Sequence, residues 1–133
     1  MKGFLAIAAV IAALGGTGSA FADCSYPPPP DHIPDGNTAT LQEMVAGQKA
    51  VKDYDKAINA YVACIQLERS DAASKMAKPG ETPTAEQKKA MDDMERVEIQ
   101  KHNAAIDQLQ SVADRFNEQV KAYKAKNGTD KKK

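Results

Sequence analysis

Forty-four consecutive residues, Asp35 to Lys78, contain no proline, although five of the chain's seven prolines lie between Pro27 and Pro34. Proline fixes φ and removes a backbone donor, so the segment 27–34 is barred from a helix and runs extended, as polyproline II. Asp35-Gly36-Asn37 then reads as a turn. Thr40-Leu41-Gln42-Glu43 follows as a capping box, in which hydroxyl and carboxylate satisfy the orphan donors of a helix start. The spacing predicts a helix over about 41–76, with Gly47 its weak point and Pro79-Gly80 its end. Thr82-Pro83-Thr84-Ala85-Glu86-Gln87 supplies a second start, because proline is accepted in a first turn and Thr84 with Gln87 repeats the capping geometry. That helix is predicted over about 83–126, with Asn127-Gly128 as its stop and residues 127–133 as a frayed basic tail.

Two helices of that size are each about 55 to 65 Å long. The short connection makes them an antiparallel hairpin, so the fold class is all-α. In the first helix Met44, Val51, Ile58, Ile65 and Ala72 recur every seven residues, and Leu41, Gln48, Asp55, Val62 and Arg69 interleave with them. Tyr54 and Tyr61 broaden this apolar face. In the second helix Ile99, His102, Ile106, Leu109, Ala113, Phe116, Val120 and Tyr123 alternate by three and four, a coiled-coil-like stripe. Carried backwards, that frame meets Glu95 and Asp92, while Met91, Met94 and Val97 fall off it, so the stripe shifts near Val97.

Ahead of these elements, every residue from Phe4 to Leu14 is apolar, Lys2 precedes the run, and Ala20-Phe21-Ala22 closes it. This is the pattern of a Sec signal peptide cleaved near Ala22, giving a periplasmic or secreted protein with no membrane anchor after cleavage. A spanning helix needs about 18 to 20 apolar residues, more than this run holds. A lipid-anchored Cys24 needs a small residue before it, where Asp23 stands. Beyond residue 22 the chain carries 17 Lys and Arg against 18 Asp and Glu, a balance that sets up no strong field to attract nucleic acid or an anionic membrane. Leu, Ile, Val and Phe make up only about 14% of that part, below the ~20% at which disorder becomes plausible. Sixteen alanines restore helical tendency, which implies a thin helical structure rather than a thick core.

The only cysteines are Cys24 and Cys64, and an even count in an oxidising compartment reads as one disulfide. A metal or redox pair is the competing reading, but neither CxxC nor a neighbouring His cluster accompanies them. Cys64 lies about 35 Å along the first helix from Leu41, and the 17 steps from Cys24 to Leu41 reach about 55 Å when extended. The bridge therefore requires residues 23–40 to fold back along the first helix as a strap, reversing at Asp35-Gly36-Asn37. Tyr26, Ile33 and the proline rings then cover apolar helix surface. A two-helix hairpin buries little by itself, so a homodimeric four-helix arrangement is the second way to thicken the core.

Candidate chemistry is sparse. His102 lies on the second-helix stripe with Glu98 one turn earlier and Met91 and Met94 two to three turns away, a composition that haem or copper sites use. There is no CxxCH and no Glu-x-x-His, and pairing of His102 with Glu98 is the plainer reading. Pro27 to Pro30 forms PxxP, the minimal ligand of proline-reading domains, and Asn127-Gly-Thr129 matches a glycosylation sequon. No nucleophile, base and orienter occur together, so no catalytic, cofactor-binding or metal-ligating residue is assigned.

The block Pro30-Asp-His-Ile-Pro-Asp-Gly36, with Ala39-Thr40, Glu43-Met44, Gln48, Val51-Lys52, Tyr54 and Tyr61-x-x-Cys64, resembles small exported proteins of proteobacteria, a resemblance that implies export and no activity. Pro83-Thr84-Ala85-Glu86-Gln87 is similar over one turn to the LTxxQ element of Spy and CpxP-like periplasmic chaperones, with Pro83 in the place of its leucine. Three functions follow as expectations. The first is a non-enzymatic exported binding or structural protein that contacts another envelope protein. The second is a Spy/CpxP-like chaperone or stress protein holding unfolded clients on a face around Tyr54, Ile58 and Tyr61. The third is a haem or copper carrier.

Overall fold

A computed structural model describes residues 24–129. The signal-peptide reading of 1–22, Asp23 and the end of the basic tail at 130–133 lie outside the described residues. The two helices are α1, Leu41–Met76, and α2, Ala85–Thr129, and they pack against each other as a helical hairpin. None of the described helices is long and apolar enough to cross a membrane.

The start of α1 follows from its capping chemistry. The Glu43 N–H donates to Thr40 Oγ1 at 3.3 Å, and the Thr40 N–H donates to Glu43 Oε2 at 2.6 Å, which satisfies two donors that a helix N-terminus leaves open. These bonds to its ionised form hold the Glu43 carboxyl below its usual pKa. Immediately upstream the Asn37 N–H donates to Asp35 Oδ1 at 2.9 Å, and the Asp35 carbonyl accepts from Thr38 and Ala39, so the chain reverses at Asp35-Gly36-Asn37. At the other end of α1 the Ala77 N–H still reaches the Ala73 carbonyl at 3.0 Å, and Gly80 takes the left-handed φ of 83° that turns the chain.

The second helix departs from expectation at both ends. Pro83 lies outside it: Thr84 is the capping residue, its hydroxyl accepting from the Gln87 N–H at 3.2 Å while its own N–H donates to Gln87 Oε1 at 2.8 Å. The Gln87 side-chain amide also donates to the Met76 carbonyl at 2.9 Å, so one residue caps the start of α2 and satisfies an open acceptor at the end of α1. At the C-terminal end Asn127-Gly128 does not stop the helix, which continues to Thr129. Asn127 Nδ2 bonds back to the Tyr123 carbonyl at 2.9 Å, a contact within the helix rather than a cap beyond it, so 127–129 are not a frayed tail.

The core consists of Tyr54, Ile58, Tyr61 and Ile65 from α1 and Ala105 and Val112 from α2, with Met44 and Phe116 buried towards the start of α1. In α1 the seven-residue line is the buried one: Met44, Ile58 and Ile65 are buried, and Val51 and Ala72 are half-buried. In α2 the register differs from the predicted stripe. Positions 102, 109, 116 and 123 belong to the inward face and Ile106 packs partly on the core, but the fully buried positions between them are Ala105 and Val112, three residues on, rather than Ile106 and Ala113, four residues on. Ile99, read as core, is half exposed to solvent. A small Ala105 with no exposed surface allows the helix axes to close, whereas Ile106 in its place would hold them apart.

Residues 24–36 lie against one side of the hairpin. The Cys24–Cys64 disulfide joins the segment to α1 with a Cα separation of 5.8 Å. The Tyr26 ring meets Tyr61 edge-on at 5.1 Å between centroids, and Ile33 packs on the core. Pro34 sits over Gly47, where a Cβ would lie 2.7 Å from its ring. Gly36 then touches α2: its N–H donates to Gln119 Oε1 at 3.0 Å, and a Cβ there would come 1.9 Å from the Gln119 carbonyl oxygen. Both glycines occur where backbone and ring approach too closely for any side chain.

Candidate functional site

Two regions of the surface have enough structure to carry a function, and they adjoin at Glu68. The first is the disulfide and the aromatic cluster beside it. Cys64 and Glu68 are one helical turn apart on α1, which places the carboxylate next to the bridge. The Cys24 N–H donates to Glu68 Oε1 at 3.1 Å. The two sulfurs and the carboxylate lie within 4.8 Å of one another, but with the sulfurs bonded to each other neither is a thiolate ligand, and the carboxylate serves the backbone instead.

Tyr54, Ile58 and Tyr61 were expected to form an open face for clients or partners. They do not: they are 4%, 0% and 9% exposed, and the face belongs to the core. The physical reason is that they pack with Ala105 and Val112 of α2 in one cluster, on which Ile33 also rests, while the disulfide-tethered segment lays Tyr26 against Tyr61. Burial pushes the Tyr54 phenol up to about 12, with the neighbouring Tyr26 adding to the shift. The Tyr54 hydroxyl is buried without a hydrogen-bond partner of ordinary geometry.

The second region is a cleft of about 370 Å³ between the helices, beyond the end of the packed core. Ile65 and Ala72 of α1 and Met94 and Val97 of α2 give it apolar walls, and Arg69, Asp93, Glu98 and Lys101 border it. Arg69 pairs with Glu98 across the two helices, and only 13% of the Glu98 side chain remains exposed. The Asp93 carboxyl is held below its usual value by Lys89 and Arg96, which lie on the same helix. Sequence reasoning did not find this cleft. Its signal was the group Met91, Met94 and Val97 falling out of register, read there only as a shift of the stripe.

His102 does not pair with Glu98, which is taken by Arg69; its Nδ1 lies 3.3 Å from Asn103 Oδ1 on its own helix. Met94 lines the cleft and His102 does not, so the structure does not assemble the histidine and methionine into one site. Pro27 and Pro30 are half-buried, while Pro28 and Pro29 face solvent. No family model, curated protein or solved structure matches this chain.

Proposed function

We propose that this is a non-enzymatic, exported binding or structural protein of the periplasm or extracellular space: an antiparallel helical hairpin closed on one side by a proline-rich strap. The observation that carries the reading is the Cys24–Cys64 disulfide, a bond that persists in oxidising compartments and is rare in reducing ones. The antiparallel sense is supported by the cross-helix partners. Arg69 pairs with Glu98, Met76 accepts from Gln87, and Leu41 shares a surface groove with Val120 and Tyr123. The strap is supported by the contacts that residues 24–36 make along α1. The outward faces of the helices carry local ion pairs such as Lys49 with Asp53 at 2.5 Å and Lys89 with Asp93 at 2.9 Å, an arrangement suited to polar contact with a folded envelope protein.

A second reading, a Spy/CpxP-like chaperone, is favoured by the cleft between Ile65, Ala72, Met94 and Val97. Its apolar walls with mixed charges at the rim suit a short apolar stretch of an unfolded client. Crosslinking in the intact envelope followed by affinity capture separates the two. A single folded partner recovered in stoichiometric amount supports the first. Many clients, together with suppression of aggregation of a reduced model protein at substoichiometric amounts, support the second. Localisation of the protein to the cytoplasm with both thiols free would overturn both.

A further inference from the structure

The strap occupies only one side of the hairpin. On α2, Gln119 and the backbone up to Tyr123 meet it. The opposite flank of the same helix carries Ile99, Ile106, Ala113 and Val120, which recur every seven residues along one line; Ile99 is half exposed, and the other three are half-buried, Ile106 resting partly on the core. On α1 the matching flank begins with Leu41 and Val45, one turn apart and 62% and 57% exposed. These two meet Val120 in a shallow groove that also reaches Phe116 and Tyr123. The stripe is thus apolar, heptad-spaced, and on the side that the strap leaves open.

We infer that this face binds a second copy of the chain, giving a two-fold dimer in which four helices pack together and the two straps lie outside. The spacing supports a copy of itself as the occupant. A stripe with a seven-residue repeat is complementary to the same stripe inverted by a two-fold axis, each residue meeting its counterpart's neighbours. The size supports it as well. From Ile99 to Val120 the stripe is about 32 Å long, and two helices present a width of about 20 Å. The face thus offers about 600 Å² per copy, which reaches the lower end of the range for specific interfaces. The inference is independent of which partner or client the protein serves.

Sedimentation velocity of the disulfide-bonded protein over about 1 to 200 μM tests it. The expected result is a mass that rises from one chain to two and goes no further. Val45→Lys and Ile99→Lys each weaken the association at least tenfold while leaving the melting temperature of the dilute protein unchanged, because both positions are solvent-exposed in the single chain. Leu67→Lys is the control: Leu67 is equally exposed at 62% but two residues past buried Ile65, so it points away from the hairpin, and its substitution leaves the dimer intact. A protein that stays monomeric throughout, or a dimer that Leu67→Lys disrupts as strongly as Ile99→Lys, overturns the assignment.

Discussion

Reducing the Cys24–Cys64 bridge is the perturbation with the largest calculable effect. The bond closes a loop with a sequence separation of 40 residues. In the chain-entropy treatment, such a closure removes about 13 cal/mol/K from the unfolded ensemble, or about 4 kcal/mol at 25 °C. That is a large share of the 5 to 15 kcal/mol typical of small domains. With an unfolding entropy of about 2.1 cal/mol/K per residue over the described chain, the melting temperature falls by on the order of 15 to 20 °C. The loss also has a location: Tyr26 and Ile33 leave the edge of the Tyr54, Ile58 and Tyr61 cluster, which uncovers the apolar side of it that α2 does not cover. Thermal unfolding followed by circular dichroism, with and without a phosphine reductant, gives the shift. Binding of an apolar dye below the transition gives the exposure. A Cys64→Ser variant must reproduce both. A reduced protein that melts within about 3 °C of the oxidised one, with no added dye binding, refutes the reasoning, because the bridge would then constrain neither state.

Other expectations follow from single contacts. Gly36→Ala places a Cβ against the backbone of α2 and costs about 2 to 3 kcal/mol in denaturant unfolding, since neither the Gln119 carbonyl nor the Tyr123 amide can yield. Gly47→Ala gains about 1 kcal/mol of helix propensity but drives a Cβ into the Pro34 ring, so the balance is a destabilisation of about 1 kcal/mol. Pairing it with Pro34→Ala restores the propensity gain. The folded state keeps the Tyr54 phenol neutral by raising its pKa from 10.0 to about 12. Its contribution is therefore fully present below pH 10 and lost as pH rises towards 12, and Tyr54→Phe removes that alkaline loss at no cost at neutral pH. Glu43 behaves oppositely: its depressed carboxyl contributes stability above its ordinary value of 4.5 and loses it as pH falls below.

The elements of this fold were legible where local chemistry decides them. Thr40 and Glu43, or Thr84 and Gln87, meet within one turn, and no distant residue is needed to know that a helix starts there. The disulfide was legible because two cysteines allow only one intramolecular pairing. The register of α2 was not, because Leu109 and Phe116 have apolar neighbours at both three and four residues' distance. The choice between Val112 and Ala113 is made by how closely α1 approaches, which pattern alone does not contain. Tyr54 and Tyr61 were misplaced for a related reason. Amphipathic rings at a helix edge suit either a binding face or a core, and here they pack with Ala105 and Val112 of α2, while Tyr26, far away in sequence and tied down by the bond at Cys24, lies against Tyr61. The cleft was hidden because it arises from a shortage of bulk: Ala72 opposes Met94 and Val97, so the helices line an open space where larger residues would have filled it.

The central claim, an exported hairpin strapped by its own N-terminal segment, is tested most directly by mass spectrometry of the protein taken from the envelope of cells that make it, alkylated before digestion without reductant. The account predicts a chain beginning at Asp23, a peptide containing Cys24 joined to one containing Cys64, and no alkylated thiol. A chain that retains residues 1–22 with both cysteines alkylated would contradict it.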